Sequence, residues 1–195
     1  MQLTQAVLIL GGGAGLLAIA FAVRVGMRSL GQTAAAQGSP KASDVPGVIA
    51  PPPLVFLGFL AAAALMEALV PMSITRFSPY ARYLPGGLLF TTGVLIGVAG
   101  IRRFHAAGTN IPPTLPTTAL VADGPYQWSR NPLYVAMMLI YAGLAIAAGS
   151  VWALVFLVPL FLVIDKGVVA REERYLERKF GDAYGQYKAR VRRWI

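Results

Sequence analysis

The sequence predicts an all-α fold: a polytopic membrane bundle of about five transmembrane helices with a cytoplasmic, amphipathic C-terminal helix. Three observations predict it. The 195 residues are 56% hydrophobic and only 13% charged, where a soluble domain carries about a quarter charged residues. The charges are segregated, and residues 166–195 hold about half of all Lys and Arg. Apolar runs recur at lengths suited to a bilayer, which asks for roughly 20 residues rising 1.5 Å each. A charge in hydrocarbon is costly and an apolar run there is not, so this patterning selects a membrane protein.

The first span is Leu3 to Val23, uncharged until Arg24. It lacks the basic start and cleavage site of a signal peptide, so it reads as a retained helix. Residues 24–50 are rich in Ala, Gly, Ser and Pro and read as a linker. The second span, about Leu54 to Val70, opens on Pro51-Pro52-Pro53 and closes at Pro71. Glu67 lies one turn from its end, where its carboxylate reaches the interface. The third span, about Leu84 to Ile101, stops at Arg102-Arg103. The fourth and fifth, Leu133 to Ala148 and Val151 to Ile164, are separated by Gly149-Ser150 alone and predict a tight helical hairpin. The fifth continues into the charged residues 165–180, with a bend at Pro159. Gly11-x-x-x-Gly15 and Gly93-x-x-x-Gly97 predict close helix packing. Two units follow: residues 1–101 with three spans, and residues 102–195 with the polar loop, the hairpin and the charged helix.

Basic residues set the orientation. Arg24, Arg28, Lys41, Arg102, Arg103, Arg130 and the tail cluster on one side, whereas the loop after the second span has Arg76 and Arg82. The positive-inside rule then places the N-terminus outside and the C-terminus in the cytoplasm, in a prokaryotic inner membrane. The net charge of +9 is of the kind that anionic lipid headgroups attract, so membrane lipids rather than nucleic acid are the expected partners. With no cysteine and the single histidine His105, disulfides, thiolate nucleophiles and Cys- or His-based metal sites are not expected.

Two polar segments meet on the cytoplasmic side: the loop 102–132 and the tail 165–195. In the loop, Gly124-Pro125 forms a turn, Pro132 suits the first turn of the fourth helix, and Asn131 is its N-cap. Tyr126, Trp128 and Tyr134 offer flat surfaces for a purine or a cation, or form an interface belt. In the tail, Leu176, Phe180 and Tyr184 recur at helical spacing and predict an inward face, with Gly181 as a C-cap. Glu172, Glu173 and Glu177 lie among arginines and lysines, a pattern that also suits a solvated face.

These pieces occur in a particular order. Gly124-x-Tyr126 precedes Arg130-x-Pro132-x-Tyr134, then the hairpin, then Glu172-Glu173-x-x-Leu176, then Phe180-Gly181-x-x-Tyr184-x-x-Tyr187. Over residues 100–195 the chain resembles the isoprenylcysteine carboxyl methyltransferases and the related phospholipid N-methyltransferases. The resemblance implies a membrane-embedded methyltransferase that uses S-adenosylmethionine and a lipophilic acceptor entering from the bilayer. It implies Leu120 and Val121 at the adenine end with Tyr126 beside them, and Asn131, Pro132 and Tyr134 along the cofactor. It implies Glu172 at the methionyl part, supported by Glu173, and a structural or carboxylate-binding role for Arg130. Asn131 stands where the family usually has His, and Val168 where the prenylcysteine enzymes place a substrate-binding Arg. Direct displacement at a sulfonium asks for alignment and exclusion of water more than for an acid–base pair, so no catalytic side chain is assigned. The competing expectations are an NADPH-dependent membrane reductase of related architecture and a non-catalytic scaffold or transport component.

Overall fold

Proline and serine set the helix starts. In the computed structural model, which describes residues 44–72, 74 and 78–195, helix α1 runs Pro52–Leu69 with proline in its first turn. Helix α2 runs Pro79–Ala106, and the Ser78 hydroxyl accepts the Ala81 N–H at 3.3 Å. After the short 3-10 turn Gly124–Gln127, helix α3 spans Pro132–Ala148 and ends on Gly149 at φ 68°. Helix α4, Val151–Val163, is capped by Ser150. A π segment, Ile164–Val169, joins α4 to helix α5, Ala170–Phe180, and helix α6 follows as Asp182–Arg190. The described residues are thus helical with connecting loops, as the apolar patterning predicts.

The helices α1, α2 and the continuous rod Val151–Phe180 are long and apolar enough to cross a membrane. Helix α3 is apolar but has 17 residues, about 26 Å at 1.5 Å per residue. The predicted span Leu3 to Val23 lies outside the described residues, as do Gly11, Gly15 and most of the linker. The third span is longer at both ends than its apolar run, because Ser78 caps a turn before it and Arg102 to His105 extend the helix after it. Pro85 is accommodated inside α2. His105 therefore sits in the last turn of a helix rather than in a loop.

Helix α2 lies along α3 at very short range. A methyl group at Gly86 would stand 2.7 Å from the Gly143 carbonyl oxygen, one at Gly93 2.7 Å from that of Ala136, and one at Gly100 2.8 Å from a Leu133 methyl. The predicted Gly93-x-x-x-Gly97 pair is half right. Gly97 would meet the Ala136 Cβ at an ordinary 3.5 Å, and the true seam repeats every seven residues, the spacing that keeps one helix face on its partner.

Helices α1 and α4 share the main core with α3. Phe56 meets Tyr141 edge-on at 6.4 Å, and Phe59 meets Phe156 at 6.2 Å. A smaller cluster, Val121, Tyr126, Tyr184 and Tyr187, with Leu176 and Phe180 packed against it, lies under the polar loop, so the inward face expected for the tail is present. Glu67 anchors the opposite end: it accepts the Met72 N–H at 3.0 Å and the Ser150 hydroxyl at 3.2 Å. Replacing Glu67 with Ala removes two hydrogen bonds of about 1 kcal/mol each. The expected result is a thermal midpoint in detergent lowered by a few degrees, and an unchanged midpoint would mean that solvent holds these groups equally well.

Candidate functional site

The charged end of the bundle encloses a cavity of about 350 Å³, within the range of small-molecule sites. The first turn of α3 forms its floor with Asn131, Pro132, Leu133 and Tyr134. Helix α5 contributes Glu172, Glu173, Tyr175 and Leu176, and α6 contributes Tyr184 and Tyr187. Asn110 to Val121 cover it, and Pro51-Pro52-Pro53 at the start of α1 close one side.

The cover is held from below. The Thr117 N–H donates to the Tyr175 hydroxyl at 3.0 Å, the Thr118 N–H to Thr109 Oγ1 at 2.9 Å, and Asn110 Nδ2 to the Pro116 carbonyl at 2.8 Å. Lys179 joins Tyr175 to Asp44, which brings the segment before α1 onto the same post. Prolines 112, 113 and 116 fix φ along this segment, so little backbone freedom is left to lose when a ligand enters.

Two glutamates define the polar wall, and they differ. Glu173 is buried and pairs with Arg130 at 2.9 Å, both side chains being less than a tenth exposed. Arg193 grips Glu173 from another direction. Glu172 accepts the Tyr134 hydroxyl at 2.6 Å, a neutral partner. It lies on the polar extension beyond the apolar part of its rod, and its partial exposure is toward the cavity it lines. Desolvation by the surrounding walls raises its carboxyl to about 7; the Tyr134 hydrogen bond opposes this and the Glu173 charge adds to it. Burial likewise pushes the Tyr126 hydroxyl well above the usual phenol range. Arg130 lines the cavity, and its buried Nε and Nη1 have no partner among the described residues.

The sequence profile of the phospholipid methyltransferase family matches residues 81–183, more than half of the chain. The chain belongs to this family. The match opens two residues into α2, so the long helix on the far side of the glycine seam is part of the family's framework. An uncharacterized protein of Haemophilus influenzae (strain ATCC 51907 / DSM 11121 / KW20 / Rd) is 41% identical over 63 residues, which is 32% of this chain and all of that protein. No solved structure matches.

As a member of the phospholipid methyltransferase family, the chain is an integral membrane protein, consistent with its apolar helices. Leu120, Val121, Tyr126, Asn131, Pro132, Tyr134, Glu172 and Glu173, the eight residues singled out from the sequence, all line the one cavity. Asn131 stands at the N-cap position, but its side chain does not cap. Its amide instead donates to the Arg193 carbonyl at 2.9 Å, and Pro132, with no N–H, leaves one fewer donor to cap. Trp128 is about half exposed and does not line the cavity. Sequence reasoning missed Arg193, Asp165, Tyr175 and the proline cover. Arg193 carries no local signal, since its carboxylate partners lie 20 and 28 residues away, and the adjacent Lys166 that pairs with Asp165 gives no hint of the Arg193 and Trp194 contacts. For the cover, the three closely spaced prolines were the available signal.

Proposed function

We propose that the protein transfers a methyl group from S-adenosylmethionine to a lipophilic acceptor. The observation that carries this reading is the cavity's charge pattern. Glu173 is neutralised by Arg130 and Arg193, and Glu172 faces the cavity with, among the described residues, only the Tyr134 hydroxyl as partner. An ionised Glu172 therefore suits a cationic ligand. S-adenosylmethionine carries such a charge as a sulfonium and an α-ammonium, together with a carboxylate that the Arg130 guanidinium suits and a purine that the aromatic wall suits.

When bound, the cofactor would supply the methyl group: the acceptor's lone pair would form the new bond to carbon as the carbon–sulfur bond breaks, leaving the cofactor as a neutral sulfide. The protein's contribution is to hold and exclude. Glu172 and Tyr134 orient the cation, Leu120, Val121 and Tyr126 enclose its apolar end, and the tied cover keeps water from the reacting atoms. Leu133, Met137 and the Pro51-Pro53 edge form the apolar side, and this reading takes that side as the acceptor's entry from the bilayer. The basic residues around this end support a cytoplasmic-facing site in an inner membrane.

Titration of the purified protein in detergent with S-adenosylmethionine, S-adenosylhomocysteine and NADPH tests the proposal. Saturable binding of the adenosyl ligands is expected. Glu172→Gln should weaken S-adenosylmethionine roughly 10- to 100-fold, the value of a charge-assisted hydrogen bond from the α-ammonium of its methionyl part. Affinity should also rise with pH through about 7, as Glu172 loses its proton and gains the charge that meets the cation. Binding of NADPH alone, or a pH-independent affinity for S-adenosylmethionine, would overturn this reading of the site.

A further inference from the structure

The last residues of the chain form a strap between α3 and the π segment. Arg130 N–H donates to the Arg192 carbonyl at 2.9 Å, and Asn131 Nδ2 donates to that of Arg193 at 2.9 Å. On the other side, Trp194 Nε1 donates to Asp165 Oδ1 at 3.1 Å and its ring packs on Phe161 at 5.0 Å. The Arg193 guanidinium lies between them. Its Nε donates to Glu173 Oε1 at 3.2 Å, its Nη2 donates to Glu173 Oε2, and its Nη1 donates to Asp165 Oδ1 at 3.2 Å. Arg193 does not itself line the cavity.

We propose that Arg193 is a positioning residue for cofactor binding: it holds Glu173 against Arg130, and so leaves Glu172 as the carboxylate that answers the ligand's positive charge. This inference rests on the methyltransferase reading above. Glu173 has both oxygens engaged by guanidinium groups, and it adjoins Glu172 on the same helix. Without Arg193, a buried carboxylate keeps a single cation and its uncompensated charge acts on Glu172. A like charge nearby favours the protonated neighbour. Glu172 then releases its proton at higher pH and meets the cation less readily at neutrality.

The groups lining the cavity with Glu172 are Arg130 and Tyr134 at the α3 start, Tyr126 in the 3-10 turn, Glu173 and Tyr175 on α5, and Tyr184 and Tyr187 on α6. Burial raises the hydroxyls of Tyr126, Tyr184 and Tyr187. The ligand's own α-amino group titrates in this range whichever variant is used, so the difference between the wild-type and variant profiles is what reports Glu172.

The experiment is a pH series of S-adenosylmethionine titrations on the full-length protein in detergent. Arg193→Met should move the midpoint of the affinity profile up by about one pH unit, weakening binding about fivefold at pH 7 and very little near pH 9. Arg193→Lys keeps the charge and should stay close to the wild-type midpoint. Trp194→Phe breaks the strap's hydrogen bond to Asp165 but leaves Glu173 compensated, and should not move the midpoint. In a Glu173→Gln background, Arg193→Met should have no further effect on the midpoint, and this pair serves if Arg193→Met alone does not fold. A wild-type protein without saturable binding would overturn the methyltransferase reading. A wild type that binds, with Arg193→Met at the wild-type midpoint or an equal shift in the Glu173→Gln background, would overturn the positioning role alone.

Discussion

Gly143→Val should abolish the folded bundle. A Cβ at position 143 would stand 2.6 Å from the Gly86 carbonyl oxygen and 2.7 Å from the Phe90 backbone nitrogen. Both are main-chain atoms of a continuous helix, so no side-chain rotation relieves the contact. The two helices must separate, and separation is felt at Gly86 and Gly93, where the same close approach recurs. Overpacking a core costs about 1 to 3 kcal/mol where neighbours can shift. Here the expected loss exceeds about 3 kcal/mol, because moving the backbone opens the whole seam. The measurement is monodispersity by gel filtration in detergent, followed by thermal stability of whatever remains folded. Gly97→Ala is the comparison: its methyl has room at 3.5 Å, and replacing a helical glycine favours the helix by up to about 1 kcal/mol. If Gly143→Val were as stable as Gly97→Ala, the close approach of α2 and α3 would be wrong.

Arg130→Met should destabilise the protein by about 3 kcal/mol, the cost of stranding one partner of a buried ion pair. Both side chains are more than nine-tenths buried, so water cannot replace the lost partner. Arg193 still holds Glu173 in the variant, which keeps the loss at the lower end of the usual range. Adding Glu173→Leu should restore much of the stability, since the stranded charge is then gone and Arg193, about a third exposed, reaches solvent. A double variant no more stable than the single would show that Arg130 contributes by packing rather than by charge.

The apolar helices among the described residues were legible because the bilayer imposes a length and a polarity on each one, and Pro51 to Pro53, Pro132 and Gly149 mark helix ends chemically. The site was legible through ordered motif pieces. Glu172 by itself reads as part of a solvated charged face, and only its place after the hairpin singles it out. What stayed hidden depends on contacts across the fold. The tail's arginines look alike in sequence, yet Arg193 is bound to two carboxylates while Arg190 and Arg192 are exposed. The Asn131 amide goes to a carbonyl 62 residues away, and no local rule separates that use from capping. The π segment left one trace, Gly167, where a methyl would meet Ile49 at 2.4 Å, and a lone glycine in an apolar run does not announce a change of winding.

That winding sets the direction in which the two glutamates point. At the π segment the Ala170 N–H donates to the carbonyl of Asp165, five residues back rather than four. Each residue of an α-helix advances about 100° around the axis, so one extra residue turns everything after it by about that angle. The rod thus behaves like a dial with one added click. Its membrane-facing half and its carboxylate-bearing half are each regular, but their faces are offset. A family member with one residue fewer between Leu160 and Glu172 could keep every motif letter and still aim both acids away from the chamber.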